Sequence, residues 1–391
     1  MKIKLTKQEK NWILYDVGNS AFTLLAATIL PIYFNYIAGK QGLSDVQYLA
    51  YWGYAVSIAT LLTALAGPVF GTVADTKGYK KPVFTIALGI GAIASVALGF
   101  AKYWLAFLVV FVIAKVGYSV TLVFYDSMLV DVTLEDRMDE VSSQGYAWGY
   151  IGSCVPFVIC LLVVLNAGKI GITMEIAMMV SFVIITVWWV IMTLPLLKTY
   201  HQKYYVEKKQ HAFSESFKRI GITLKNVKKE KKVFLFLLAF FFYIDGVYTI
   251  IDMATAYGSA LGLSSTGLLL ALLLTQIVAF PFAIIFGRLA KKYSAEKLIT
   301  VCIVAYLGVA IFAIFLHYQW QFWVLAVWVG MFQGGVQALS RSYFTKIIPA
   351  NQSGEFFGLM DICGKGASFM GTTIGGPDPR SLPAISILVW G

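Results

Sequence analysis

Charge is scarce in this chain. Only 13% of its 391 residues are Asp, Glu, Lys or Arg, about half the share of an ordinary soluble domain. That excludes a molecule whose whole surface faces water. Histidine is nearly absent. His201, His211 and His317 all fall in loops or at the ends of apolar runs, so no intramembrane histidine is placed for serine or metal proteolysis. The four cysteines, Cys154, Cys160, Cys302 and Cys363, lie inside apolar runs. Their spacing gives neither a disulfide framework nor a zinc site, and they read as small packing residues. No phosphate-cradling glycine-lysine loop occurs, which excludes an ATP-driven pump built from this chain alone. The "GIGAIA" run is helix packing. Nothing calls for a cofactor or a metal ion, and the chain reads as no enzyme.

What is abundant is apolar length. Hydrophobic residues make up 59% of the chain, in runs long enough to cross about 30 Å of hydrocarbon as helices. The runs are continuous rather than alternating, which argues against a barrel. The fold class is therefore an all-α polytopic membrane protein. Spans are expected near 12–38, 48–73, 82–101, 104–128, 145–165, 172–197, 233–256, 264–287, 295–316, 321–339 and 355–376. The first carries Asp16 and Asn19 and is too long for a cleavable signal, so it reads as a retained span.

Basic residues set the orientation. With the N-terminus inside, the inner segments hold 25 Lys and Arg against 3 in the outer loops, a decisive positive-inside bias. Arg341 is counted among the inner-loop cations, and "DVTLEDRMDE" as an acidic inner loop. The bias also accounts for the net charge of +11 through anionic lipid at a cytoplasmic surface, without nucleic acid as a partner. The reading is a multi-pass protein of the plasma membrane.

Six spans, a basic segment and five more spans divide the chain into a bundle over 1–197, a cytoplasmic linker over 198–232 and a second bundle over 233–391. In the linker, Phe213, Phe217, Ile220, Leu224 and Val227 recur at helical spacing between lysines. Two readings stand: an amphipathic helix on the membrane surface or a solvated linker. After Gly376 the chain reads "PDPRSLPAISILVWG", too short to cross. The second bundle is thus expected to lack its last helix, giving about 11 spans.

The loop between spans 2 and 3 gathers Gly71, Asp75, Gly78, Lys80 and Lys81 within "GPVFGTVADTKGYKKPVF". Gly67 and Gly71 are spaced for close helix approach, and Gly78 permits a tight turn. Asp75 is placed to reach a neighbouring helix N-terminus or a base, and the lysines to meet acids or lipid headgroups. Together these residues could latch an inner gate. Spacing and position resemble the signature loop of the major facilitator superfamily. The corresponding second-half stretch, Gly287-Arg288-Leu289-Ala290-Lys291, has a lysine where the aspartate belongs, which puts a symmetric latch in doubt. "NWILYDVGNSAF", "FYDSMLVDV", "YIDGVYTII" and "EFFGLMDICGKGASFMG" further resemble the vacuole-effluxer-like branch, which includes autophagy-related vacuolar amino-acid exporters. The resemblance implies the major facilitator fold of two six-helix bundles, and a monomer.

Ionisable groups inside spans cost about 2.5–3.5 kcal/mol each on insertion scales and mark candidate sites. They are Asp16, Lys115, Asp126, Asp245, Asp252, Asp361 and Lys365. Lys115 and Asp126 share a face but stand about 16 Å apart along the axis. Asp361 and Lys365 have the favourable order for a helical pair, so Lys365 is either neutralised by Asp361 or free for a solute. Asp245 and Asp252 share one face with no base nearby. Asp245 is the leading candidate for proton coupling, against a rival role as a packing carboxylate. Asp16 and Asn19 share a face, with a cap or surface role as the rival. Gln144, Tyr125 and Trp148 sit where span 4 hands over to span 5, and Gln276, Gln333 and Gln337 lie in spans 8 and 10.

The function expected is secondary transport of a small polar solute by alternating access, with proton-coupled amino-acid efflux as its specific form. The alternative is a non-transporting membrane scaffold or receptor on the same fold.

Overall fold

The computed structural model describes residues 4–207, 221, 223 and 230–374. Among the described residues eleven long helices follow one another: α1 (Lys7–Lys40), α2 (Asp45–Ala74), α3 (Lys80–Ala97), α4 (Trp104–Ser127), α5 (Met138–Leu165), α6 (Met174–Thr199), α7 (Lys231–Ala260), α8 (Ser265–Leu289), α9 (Ala295–Ile314), α10 (Gln319–Ile347) and α11 (Ser353–Ile374). Ten of them contain a stretch long and apolar enough to cross a bilayer. The other, α11, has 22 residues, about 33 Å of helix. The five linker residues expected on an amphipathic face and the stretch after Gly376 lie outside the described residues.

Local chemistry fixes the ends. Thr6 and Glu9 form a reciprocal cap at the start of α1, as Ser44 and Gln47 do for α2, satisfying backbone donors that a helix start leaves orphaned. Gly42, Gly78, Gly171 and Gly262 have φ between 74 and 79°, the left-handed turns that a side chain resists. Buried hydroxyls of Thr28, Thr63, Thr72, Ser181 and Thr193 donate to the carbonyl one turn back, so none asks hydrocarbon for a partner.

Three helices run further than hydropathy suggests. The first starts at Lys7, α5 at Met138 and α10 ends at Ile347. In α5 and α10 the added turns are polar, with Ser142, Ser143, Ser340, Arg341, Ser342 and Thr345 all buried. Protein rather than lipid covers them, and that permits polar helix at this depth. Arg341 is therefore no loop cation, which corrects the expectation above.

Packing repeats with an offset of six helices. The pairs α2–α4, α3–α4 and α1–α5 recur as α8–α10, α9–α10 and α7–α11. One hydrophobic cluster runs from Trp12 to Tyr200 and a second mainly from Val233 to Met360. Between the two sets, α2 lies along α11 and α5 lies along α8 and α10. Within the first set α3 and α4 meet at bare backbone, where a Cβ on Gly117 would stand 2.7 Å from the nitrogen of Gly91.

Gly117→Val should therefore overpack this crossing by about 1–3 kcal/mol. The expected result is a melting temperature lowered by several degrees in detergent. An unchanged melting temperature would mean that α3 and α4 do not meet through these glycines.

Candidate functional site

The helix ends that carry the N-terminus, here called the N-terminal face, are locked by polar contacts between the two sets. The Asp75 carboxylate accepts from the backbone N–H of Gly354 at 2.8 Å and of Glu355 at 2.9 Å, the first turn of α11. A carboxylate there satisfies orphan donors and complements the helix dipole. The approach is possible because both crossing points are glycine: a Cβ on Gly71 would stand 2.1 Å from the Gly354 carbonyl oxygen, and one on Gly358 2.6 Å from Pro68. Lys80, expected to reach acids or headgroups, is fully buried. Its Nζ donates to Ser353 Oγ at 2.9 Å and stands 3.7 Å from both Asp75 and Asp131. Lys81 is exposed and Gly78 makes the turn.

Asp131, read from sequence as part of an acidic loop, is also fully buried. Its Oδ1 accepts the backbone N–H groups of Lys203 and Tyr204 at 2.9 and 3.0 Å, and its Oδ2 the Tyr200 hydroxyl at 2.5 Å. Val206 N–H donates to Asp75 O, and Lys77 N–H to Val206 O, as a short parallel bridge. Gln202 accepts from Gly78 N–H and donates to Ala74 O. The first residues of the linker are thus a strap bound under the loop, not a free tether.

The second set reaches back. A Cβ on Gly287 would meet Ser143 of α5 at 2.6 Å, and Lys291 pairs with Glu140 at 2.5 Å. Next to it, Lys346 pairs with Asp139 at 2.5 Å, and Ser342 donates to the same carboxylate at 2.7 Å. The altered loop therefore does contact the opposite half, with lysine-to-carboxylate pairs replacing carboxylate-to-helix contacts. The two contacts are therefore not symmetric in chemistry, in keeping with the missing aspartate.

Above both latches lies Arg341, 3% exposed. Nη1 donates to Asp126 Oδ1 at 3.0 Å and to Asp16 Oδ2 at 3.3 Å. Nη2 donates to Asp16 Oδ2 at 3.3 Å and to Ser142 O at 2.9 Å, and Nε to Ser142 Oγ at 2.9 Å. The guanidinium carbon lies 4.2, 4.6 and 5.3 Å from the ring centres of Tyr146, Trp12 and Tyr125, distances at which a ring face attracts a cation. Asp16 also accepts from the Tyr125 hydroxyl at 2.7 Å and from Asn19 at 3.3 Å. Asp16 is thus buried and central, which excludes the cap or surface role.

The remaining candidates disperse. Asp361 and Lys365 pair at 2.6 Å as spaced, and a Cβ on Gly67 of α2 would stand 3.4 Å from Asp361. Both members of that pair interact electrostatically with Asp126. Asp245 is buried, and its Oδ1 has no hydrogen-bond partner. The side chain of Asp252 lies outside the described residues. Lys115 stands 5.9 Å from the Tyr118 ring centre. Gln144 Oε1 accepts from the Trp148 indole one turn on. Gln337 accepts from Tyr150 at 3.0 Å across the halves. Sequence reasoning missed Arg341 and Ser142 as members of the cluster. The usable signal was an arginine in a stretch, "GGVQALSRSYF", whose small residues favour close helix packing.

Asp75→Ala should loosen the N-terminal face. Losing hydrogen bonds to a charged group, about 1.5–3 kcal/mol in all, should speed labelling of a cysteine at buried Ala338 on the order of tenfold or more. The measurement uses a background without the four native cysteines. Equal labelling rates would show that Asp75 does not hold this face shut.

Similarity to known proteins agrees with this architecture. Residues 6–132 and 130–376 match the family described as "Vacuole effluxer Atg22 like". The chain is 44% identical over 376 residues to the uncharacterized MFS-type transporter YxiO of Bacillus subtilis, covering 95% of this chain and 88% of that protein. It is 24% identical over 452 residues to autophagy-related protein 22 of Vanderwaltozyma polyspora, covering 94% and 85%. The solved MFS proton:xylose symporter XylE superposes with a TM-score of 0.70 at 13% identity, covering 98% of this chain and 91% of that one. With two helix sets interlocked at one face and a family match along nearly its whole length, the chain belongs to the vacuole effluxer Atg22-like family of major facilitator transporters.

Proposed function

We propose that this transporter moves a small polar solute by alternating access, in the specific form of proton-coupled amino-acid efflux across the plasma membrane, with its N-terminus cytoplasmic. The moving bodies are the bundles 1–197 and 233–391. The observation that carries this reading is Arg341: the second bundle supplies a buried cation, and the first supplies both of its carboxylates, Asp16 and Asp126. A salt bridge across two bodies that must part is a gate. Breaking a buried pair by removing one partner costs about 3–5 kcal/mol, so parting has to be compensated at the same site.

A proton on Asp126 or Asp16 supplies that compensation, because it removes the charge that Arg341 would otherwise leave behind. The geometry then orders the cycle. With the latches closed, as here, the N-terminal face is shut. Protonation at the pair favours release of Arg341, and the Asp361–Lys365 pair, within electrostatic reach of Asp126, offers a carboxylate and an ammonium to a zwitterion. Binding energy goes into the change of state rather than into holding the solute. A non-transporting scaffold loses its support from the altered second loop, since that loop makes its own cross-bundle contacts.

Proteoliposomes with a pH-sensitive dye test this reading, screened with amino acids under an imposed proton gradient. Solute-dependent proton flux is expected. Asp126→Asn should uncouple it, leaving solute exchange without proton flux, and Asp245→Asn tests the rival carboxylate in parallel. Full coupled flux in Asp126→Asn with loss in Asp245→Asn would move the coupling site to α7. No flux with any solute in folded protein would overturn the transport mechanism proposed.

A further inference from the structure

The guanidinium of Arg341 is a guest in a binding site that the other bundle builds completely. Every acceptor it uses belongs to α1, α4 or α5: Asp16, Asp126, and both the hydroxyl and the carbonyl of Ser142. All five of its N–H donors have a place in that set. The three rings around it, Trp12, Tyr125 and Tyr146, come from the same bundle.

The host side chains also hold one another. Trp12 and Tyr125 stack at 4.4 Å and 16°, and the indole donates to Tyr125 O at 3.1 Å. Asp16 is fixed by Tyr125 and Asn19. Gly145 leaves room for it, since a Cβ there would stand 2.5 Å from Asp16 Oδ2. The charged or titratable groups around the pocket are Asp16, Asp126, Tyr125, Tyr146 and Arg341, with Tyr15, Tyr118, Tyr150 and Tyr248 and, from α11, Asp361 and Lys365 within electrostatic reach. Without Arg341 the host keeps two carboxylates among aromatic faces. Hydrogen-bond acceptors, negative charge and ring faces together are what recognise an organic cation.

We propose that, when the bundles part at the N-terminal face, this pocket takes an organic cation of the ammonium or guanidinium class in place of Arg341. Arg341 is then a tethered competitor. Its return on closure displaces the cation from the pocket towards the interior of the carrier. The idea rests on the alternating-access reading for its cycle, but the pocket can be tested without transport.

Methylguanidinium is the probe and urea, its uncharged planar analogue, the control, both followed by calorimetry on purified protein. Arg341→Ala should bind methylguanidinium saturably and at least about tenfold more tightly than the wild type, and should not bind urea. Adding Asp126→Asn should reverse that gain. Because Arg341→Ala risks misfolding, the wild type carries a second arm: spin labels across the N-terminal face, measured with and without methylguanidinium at pH 8 and pH 6. A cation-dependent widening at pH 8, lost in Asp126→Asn, supports the pocket. A folded Arg341→Ala that ignores methylguanidinium would overturn it. So would widening driven by acid alone with no cation effect, which would leave the proton as the guest. Binding by Arg341→Ala with no transport by the wild type would sink the transport reading and leave the pocket standing.

Discussion

A charge buried in an apolar phase has to find its counter-charge inside the protein, because neither lipid nor water is at hand. In this chain several of those partners come from the other helix set. Arg341 finds Asp16 and Asp126, Asp75 finds the backbone donors at the start of α11, and Glu140 finds Lys291. Others are met at home: Lys80 lies between Asp75 and Asp131 of its own set, and Lys365 pairs with Asp361 on its own helix. Contacts that let the sequence carry buried charge therefore also join the two helix sets at the N-terminal face.

The two latches are related by the helix offset but differ in chemistry. At the first, a carboxylate meets backbone donors through a glycine gap. At the second, lysines meet carboxylates at the start of α5, with Gly287 seated on Ser143. Backbone donors keep a fixed direction, whereas long ammonium side chains tolerate small shifts. The α2–α11 contact thereby sets the position of closure, and the α5–α8 contact follows it. The strap over Tyr200 to Val206 ties the linker to the first latch, the geometrically stricter of the two.

Sequence made the spans, the pair Asp361–Lys365 and the roles of Asp75 and Gly71 legible. These depend on periodicity, on spacing within one helix, or on a loop of recognisable shape. Arg341 escaped because hydropathy ends a span at the first costly residue, and the compensation lies in α1 and α4, far off in sequence. Asp131 escaped for the same reason: a run of acids reads as solvated loop until Lys203 and Tyr204 are seen to donate to it. The contact of Gln144 is local by contrast, with Trp148 on its own helix. What local sequence hides is long-range charge pairing, and in this fold that pairing joins the two helix sets.

The bare crossing of α2 and α11 has a further consequence. At Gly71 and Gly354 the surfaces that meet are peptide planes. A surface of ordinary side chains loses rotamer freedom each time it is pressed against its partner, up to about 2 kcal/mol for a long chain, whereas glycine loses none. The glycines themselves have no rotamers to lose here, and Asp75 is the side chain ordered beside them. In the alternating-access cycle proposed above, such a contact would add little entropic bias towards either state. A carrier working that way needs that balance, since one that closed too favourably would stop after a single turn.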